Sequence, residues 1–274
     1  MTQPAEASTI PSVKDLASSE ASRRRACLNS VIAFLNEQNA SSSPLTLTEC
    51  LQLWRGFYVG LYMHDSKSAL SVQRLAAELA GTLRIMDEKD HEAGSDGQTH
   101  PWLDVWATAF WETVSREWSS IDQWRMNKVL LLVRLFVREL FSLALGWATT
   151  STGDASTPTP TPQSRVGSQL QILEAWPLSP RERKVPDGLR LHVLDVWVDE
   201  LGGQLGAAQQ KAVTKSEHRD GDDDAHAQKA AALLLDTARA FMGPVEKLSK
   251  EALSKGVKLR AKEAVQLAQE KIWG

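Results

Sequence analysis

Between Leu103 and Trp147 the chain carries two apolar helical patterns separated by a turn of only a few residues, and this pair fixes the fold class. Leu103, Trp106, Phe110, Val114 and Trp118 recur at three- and four-residue steps, which makes one stripe of a helix. Pro101 suits a first helical position, where its missing N–H costs nothing. The pattern breaks at Ser119-Ser120, and either Ser120 or Asp122 can accept backbone N–H bonds at the start of the next helix, about Ile121 to Trp147. So short a turn makes the two helices antiparallel neighbours. The second is apolar on most of its circumference between Val129 and Leu145, so it belongs between two layers of other helices.

That second helix also carries two basic pairs. At 100° per residue Arg125 and Lys128 fall on one edge, and Arg134 and Arg138 fall together on another, so the pairs cannot serve a single contact. Either they reach solvent from a buried helix and pair with Glu117, Asp122 and Glu139, or one pair faces phosphate or an acidic partner. On the second reading, replacing Arg134 and Arg138 with Glu leaves the fold intact and weakens partner association. Trp118→Ala is expected to cost roughly 3–5 kcal/mol if the indole is core.

The remainder reads as helix after helix. A first helix runs from Ser19-Glu20 to about Gln38, with Ala26, Leu28, Val31, Ile32 and Leu35 inward. Thr46 followed by Glu49 is a capping box that opens a second, carrying Leu53, Trp54, Phe57, Leu61 and Tyr62. A third covers about Ser68 to Met86, before a polar loop from Asp87 to Thr99. Past the linker, Val166–Trp176 reads as a short helix. Pro186 opens another that Gly202-Gly203 stops near Leu201. His226 to Phe241 is helical, Met242-Gly243-Pro244 breaks it, and one or two more helices reach Trp273. The expected organisation is a flexible N-terminus over 1–15 and a helical-repeat region over 16–150. A Ser/Thr/Pro linker over 151–165 and a C-terminal helical region over 166–274 follow, the latter with a mobile acidic insertion at about 204–225.

Catalytic constellations are absent from the pattern. Asp222, Asp223 and Asp224 lack the ligand spacing of a calcium loop, and His192, Asp195 and Asp199 have no second histidine or thiol to complete a metal site. Gly202-Gly203-Gln204-Leu205-Gly206 follows a helix rather than a strand and has no Lys-Ser/Thr after it, so it is no phosphate loop. No Ser or Cys sits in a nucleophile elbow. No catalytic, cofactor-binding or metal-binding residue is therefore assigned. Cys27 and Cys50 have no metal-like spacing and read as reduced thiols. No secretory segment is seen, and the longest apolar stretch, 129 to 145, is interrupted by Arg134, Arg138 and Glu139, so a soluble protein without a membrane or small-molecule partner is expected.

A net charge of −3 and a pI near 6.1 argue against holding nucleic acid by bulk electrostatics alone, so any RNA contact must be local. The local candidates are Arg23, Arg24 and Arg25, which project in three directions from the first helix, and the basic residues of the last helices, Lys258 and Arg260 among them. Arg116, Arg125, Lys128, Arg134 and Arg138 complete the candidate contacts. Ten tryptophans are more than a chain of 274 residues ordinarily carries. Trp54, Trp106, Trp111, Trp118 and Trp124 read as core or as anchors for a protein partner, together with Phe57, Phe110 and Leu132 as core.

The run Phe110-Trp111-Glu112-Thr113-Val114-Ser115-Arg116-Glu117-Trp118, continuing through Ile121-Asp122, Arg125 and Lys128 to Leu131-Leu132-Val133-Arg134, resembles the signature of the ribosomal RNA-processing protein 1 family. The block Leu53-Trp54-Arg55-Gly56-Phe57-Tyr58 through Met63-His64-Asp65-Ser66 and the block Pro186-Asp187-Gly188-Leu189-Arg190-Leu191-His192 are similar to two more of its motifs. Trp176-Pro177-Leu178-Ser179-Pro180 matches a fourth, with Trp where the family has Gly. The blocks occur in the family's order and span about Leu16 to Leu201. The resemblance implies an irregular α-solenoid of HEAT-like antiparallel helix pairs, with units of about forty residues. It further implies a nucleolar, non-enzymatic assembly factor of the large (60S) ribosomal subunit. Such a factor acts around the internal spacer between the 5.8S and large rRNAs, with pre-60S assembly factors and precursor rRNA as partners, bound directly or indirectly. Some members extend into a long basic tail, and none follows Gly274 in this sequence. The rival expectation is a helical protein–protein scaffold without an RNA role, which the acidic pI favours.

Overall fold

The computed structural model describes residues 10–38, 44–92, 101–149, 161–216 and 223–274, and among these it is helical with no strand. The helices are α1 (Ala21–Glu37), α2 (Leu47–Met63), α3 (Ala69–Glu92), α4 (Trp102–Glu117), α5 (Gln123–Thr149), α6 (Pro162–Ala175), α7 (Asp187–Ser216), α8 (Asp223–Glu251) and α9 (Lys255–Ala268). A 3-10 turn, Lys14–Ala17, precedes α1, another, Trp118–Ser120, joins α4 to α5, and a π-helical turn, Gln269–Trp273, follows α9.

The helices sort into two rows. α2, α4, α6 and α8 contact one another in succession, as do α1, α3, α5, α7 and α9, and sequence neighbours such as α3 and α4 or α7 and α8 pack across the rows. The apolar circumference of α5 explains its place: it lies against α3 and α7 in its own row and α8 and α2 in the other, burying Val129, Leu132, Val133, Phe136, Val137, Leu140 and Phe141. The core is aromatic where α2, α4 and α5 meet. Trp54, Phe57, Trp106, Phe110 and Phe136 are each at most 1% exposed. Phe110 and Phe136 stack at 3.7 Å, and Trp54 lies 5.0 Å from Trp106. Both indole N–H groups are satisfied, Trp54 by the Trp106 carbonyl at 3.1 Å and Trp106 by Thr82 Oγ1 at 3.0 Å.

Helix starts follow local chemistry. The Thr46/Glu49 capping box is present: Thr46 N donates to Glu49 at 2.8 Å and Glu49 N to Thr46 Oγ1 at 3.3 Å. Pro101 proves to be the N-cap of α4 rather than its first residue, and having no side-chain acceptor it leaves the first N–H groups to Asp90. That carboxylate on α3 accepts from Trp102 N at 2.7 Å and Leu103 N at 3.1 Å. Burial pushes its pKa up to about 6 despite these two bonds.

Several boundaries depart from expectation. Gly202-Gly203 does not stop a helix: α7 continues to Ser216 because Leu201 and Leu205 are both buried, and Gly202 sits where a Cβ would only touch Ile272. The expected acidic insertion over 204–225 is thus helical through Ser216 and again from Asp223, and residues 217–222 lie outside the described ones. Pro244 does not break α8 either, since Met242, Val245 and Leu248 are buried across it and tertiary packing outweighs the one lost backbone bond. The third helix extends to Glu92, and α6 begins at Pro162, inside the expected linker, with Thr161 as its cap. Residues 93–100 and 150–160, parts of the expected polar loop and linker, lie outside the described residues. Within the expected flexible N-terminus, Ile10 and Val13 pack against the core, and α2 offers glycine there: a Cβ on Gly56 would stand 2.7 Å from Val13 Cβ. Ala26, expected inward, is exposed, as α1 buries only Leu28, Val31 and Leu35.

Candidate functional site

The α4–α5 turn gathers the three strongest motifs in space. Asp122 caps α5, its carboxylate accepting Arg125 N at 3.0 Å, while Ser120 donates its hydroxyl to the Glu117 carbonyl instead. The other Asp122 oxygen accepts the Tyr62 hydroxyl of α2 at 2.6 Å and the Arg125 guanidinium, which lies 4.5 Å over the Tyr62 ring. The Tyr62 bond, first, and the guanidinium hold Asp122 below the usual carboxylate range.

Lys128 is 5% exposed and finds no carboxylate among the described residues. Its ammonium instead donates to the carbonyls of Leu61, Tyr62 (3.2 Å) and His64, the last turn of α2. These are carbonyls of the C-terminal end of α2, where Leu61 also accepts the His64 N–H at 3.2 Å, and a cation there meets the negative end of the helix dipole. Burial, reinforced by Arg125, lowers the lysine pKa. His64, whose ring nitrogen lies 2.8 Å from Ser71 Oγ, is likewise lowered by burial and by Lys128.

On the other flank, α7 begins against Trp118, and a Cβ on Gly188 would stand 2.9 Å from the indole Nε1. Trp118 is half-buried rather than core, so truncating it removes less than a full core contact. Gly188→Ala is expected to lower stability by roughly 1–3 kcal/mol, because the indole must give way. Thermal unfolding of the double variant with Trp118→Phe would show the two costs failing to add if this contact is the cause.

The remaining candidates fall apart as one surface. Arg24 donates to the Ser18 and Ser19 carbonyls at 2.7 and 2.9 Å, Arg25 forms a two-pronged bond to Glu78 at 2.6 and 2.9 Å, and Arg23 is 3.7 Å from Glu20 and well exposed. Arg116 is exposed beside Glu117. Arg134 and Arg138 converge on Glu200 of α7, a residue 3% exposed that the sequence analysis did not single out, and Glu139 instead pairs with Arg84. Arg260 binds Asp195 and Glu263, Lys271 reaches Asp199 at 2.8 Å, and His192 bonds the Leu130 carbonyl at 2.8 Å. The polar face of α7 thus ties α9 and α5 to the fold. Lys258 on α9 is half-buried.

Trp124 stands out against this background. It is 80% exposed, on the first turn of α5 beside the Asp122–Arg125–Tyr62 cluster, and not in the core. Among the described neighbours Asp122, Arg125 and Tyr62 are bonded to one another, and Lys128 to the end of α2. What the turn leaves outside is a large indole on a backbone fixed from both sides, a residue type favoured in binding hot spots.

A family model described as "Nucleolar protein, Nop52" matches residues 7–273. Ribosomal RNA processing protein 1 homolog B of Homo sapiens is 27% identical over 202 residues, which is 73% of this chain and 23% of that protein. The Mus musculus homolog B is 25% identical over 195 residues, 70% of this chain and 23% of the relative. The Drosophila melanogaster homolog is 27% identical over 209 residues, 74% and 26% respectively. The chain therefore spans about a quarter of the length of these relatives.

Proposed function

The chain belongs to the Nop52 family of nucleolar proteins, and on that premise we propose that it works in the nucleolus as a non-enzymatic assembly factor of the large ribosomal subunit. In this reading it scaffolds pre-60S particles while precursor rRNA is processed around the spacer between the 5.8S and large rRNAs. The names of the relatives support the rRNA-processing part of the reading. The observation that carries the scaffolding part is the α4–α5 turn: the residues of three family motifs spend their polar groups on fixing one another and leave Trp124 outside. The two rows of helices, each element touching the next but one, support an irregular HEAT-like solenoid, in which repeated helix pairs expose long surfaces to partners.

Its partners are then other pre-60S assembly factors together with precursor rRNA. A scaffold that holds proteins alone is the second reading, favoured by the net charge of −3. Purifying the tagged protein from its native cells at moderate salt and sequencing the RNA that accompanies it separates the two. Enriched spacer-containing precursor is the expected result, and a stable protein set without it would leave only the second reading. Trp124→Ala should leave the unfolding free energy within the range of a neutral surface change, about ±0.5 kcal/mol, yet weaken recovery of the particle. Unchanged recovery would remove the turn as an anchor.

A further inference from the structure

The loop of residues 180–186, between α6 and α7, carries Arg181, Arg183 and Lys184, all exposed and none within ion-pair reach of a carboxylate among the described residues. The side chains that the loop does bury are committed to holding its shape. Arg190, 6% exposed, donates to the carbonyls of Ser179 (2.9 Å), Glu182 (2.5 Å) and Val185, and pairs with Asp187 at 3.2 Å. Glu182 is occupied as well: its carboxylate accepts Lys184 N at 2.9 Å. A buried arginine that binds three loop carbonyls fixes a backbone which would otherwise need ordering on contact with a ligand.

The loop forms one wall of a groove of about 500 Å³ whose other wall is Ala252, Leu253, Ser254 and Val257, all uncharged. α9 starts at this wall, and its Lys255, Lys258 and Lys262 lie at i, i+3 and i+7 along one edge, again without a carboxylate in ion-pair reach among the described residues. Of these cations Arg181 and Arg183 line the groove itself, and the three lysines extend over roughly 10 Å of the helix that begins at its other wall.

We infer that this groove is a docking site for the phosphate backbone of RNA. Unpaired arginines on the groove wall, with further lysines on the adjoining helix, fit an extended polyanion, and the planar forks of Arg181 and Arg183 match phosphate oxygens two at a time. The chain as a whole is acidic, so a protein of net charge −3 gains RNA affinity only where cations are left unneutralised. The inference deepens the assembly-factor reading and rests on it for the choice of RNA over an acidic protein.

The test uses the full chain and an RNA stem-loop, with fluorescence anisotropy measured across a salt series. The triple variant R181E/R183E/K184E should bind at least about tenfold more weakly than the unaltered protein. The slope of log affinity against log salt should become shallower by about two to three, one phosphate contact per cation lost. Its melting temperature should not move, since the three exposed side chains make no ion pair among the described residues. A control with the same charge change on lysines outside the groove, K67E/K211E/K229E, should bind nearly as the unaltered protein does. Equal weakening by both variants, or no binding by the unaltered protein, overturns the site. The two readings fail separately: if the triple variant still recovers precursor rRNA from cells at the unaltered level, the groove is excluded and the assembly role stands. If the unaltered protein recovers none, the assembly role falls and the anisotropy alone judges the groove.

Discussion

Trp106→Ala is expected to lower the unfolding free energy by about 3–5 kcal/mol, among the largest losses any single substitution in this chain would cause. The indole is fully buried, packs on Trp54 and Phe57, and donates its N–H to Thr82 Oγ1, whose own hydroxyl donates to the Leu79 carbonyl at 2.6 Å. Truncation opens a cavity bounded by stiff aromatic rings, which cannot collapse as readily as aliphatic chains, and leaves the Trp54 and Phe57 rings short of contacts. The Trp106→Phe variant should recover more than half of the loss, because it restores ring volume and forfeits chiefly one hydrogen bond. Denaturant unfolding of the two variants checks this, and a loss under 1 kcal/mol for the alanine variant would contradict the packing described.

The aromatic core was legible because helical periodicity reports which residues share a face, and Leu103, Trp106, Phe110 and Val114 do end up buried together. The same stripe includes Trp118, and Trp118 and Trp124 both read as either core or anchors for a partner, a choice that periodicity does not make. Each lies at a helix end where the chain turns, and there Trp118 is half-buried against the start of α7 while Trp124 is exposed. The helix breaks expected at Gly202-Gly203 and Met242-Gly243-Pro244 do not occur. Glycine and proline cost a helix one to a few kcal/mol locally, and the buried residues on either side outweigh that cost, a balance that local sequence does not contain.

The charged residues were legible as positions and not as partnerships. Spacing put Arg134 and Arg138 on one edge of α5, and both do point the same way, but their common partner Glu200 lies more than sixty residues on, on a helix expected to end beside it. Lys128 was grouped with Arg125 as a possible contact, yet its charge is absorbed by the end of α2, because a carbonyl acceptor leaves no mark in a sequence. The family motifs were the better guide. They flagged Asp122, Lys128 and Gly188 together before any geometry could relate them, and Arg190, which shapes the 180–186 loop, sits inside one of them.

The double charge reversal R134E/R138E shows what that missed partnership is worth. Were the two arginines free on the surface, the variant would fold normally, but they converge on a Glu200 that is 3% exposed. Half-exposed arginine side chains can turn to solvent, whereas the glutamate cannot, so the reversal sets two carboxylates against a third that has no escape from the interface of α5 and α7. A loss of about 3–5 kcal/mol is expected, the scale for breaking a buried pair from one side. Adding Glu200→Gln to that variant should restore part of it, since the repulsion then disappears. Alone, Glu200→Gln tests the titration. Burial pushes the Glu200 pKa up, but its bonds to Arg138 and Arg134 outweigh burial and hold it below the ordinary value. A depressed folded-state pKa contributes stability that is present above the unfolded glutamate range and is lost as the pH falls through the folded value. The gap in unfolding free energy between the unaltered protein and Glu200→Gln should therefore be widest near neutral pH and close on acidification. A gap that stays constant down to the acid limit of folding would mean that the two guanidinium groups do not hold Glu200 charged.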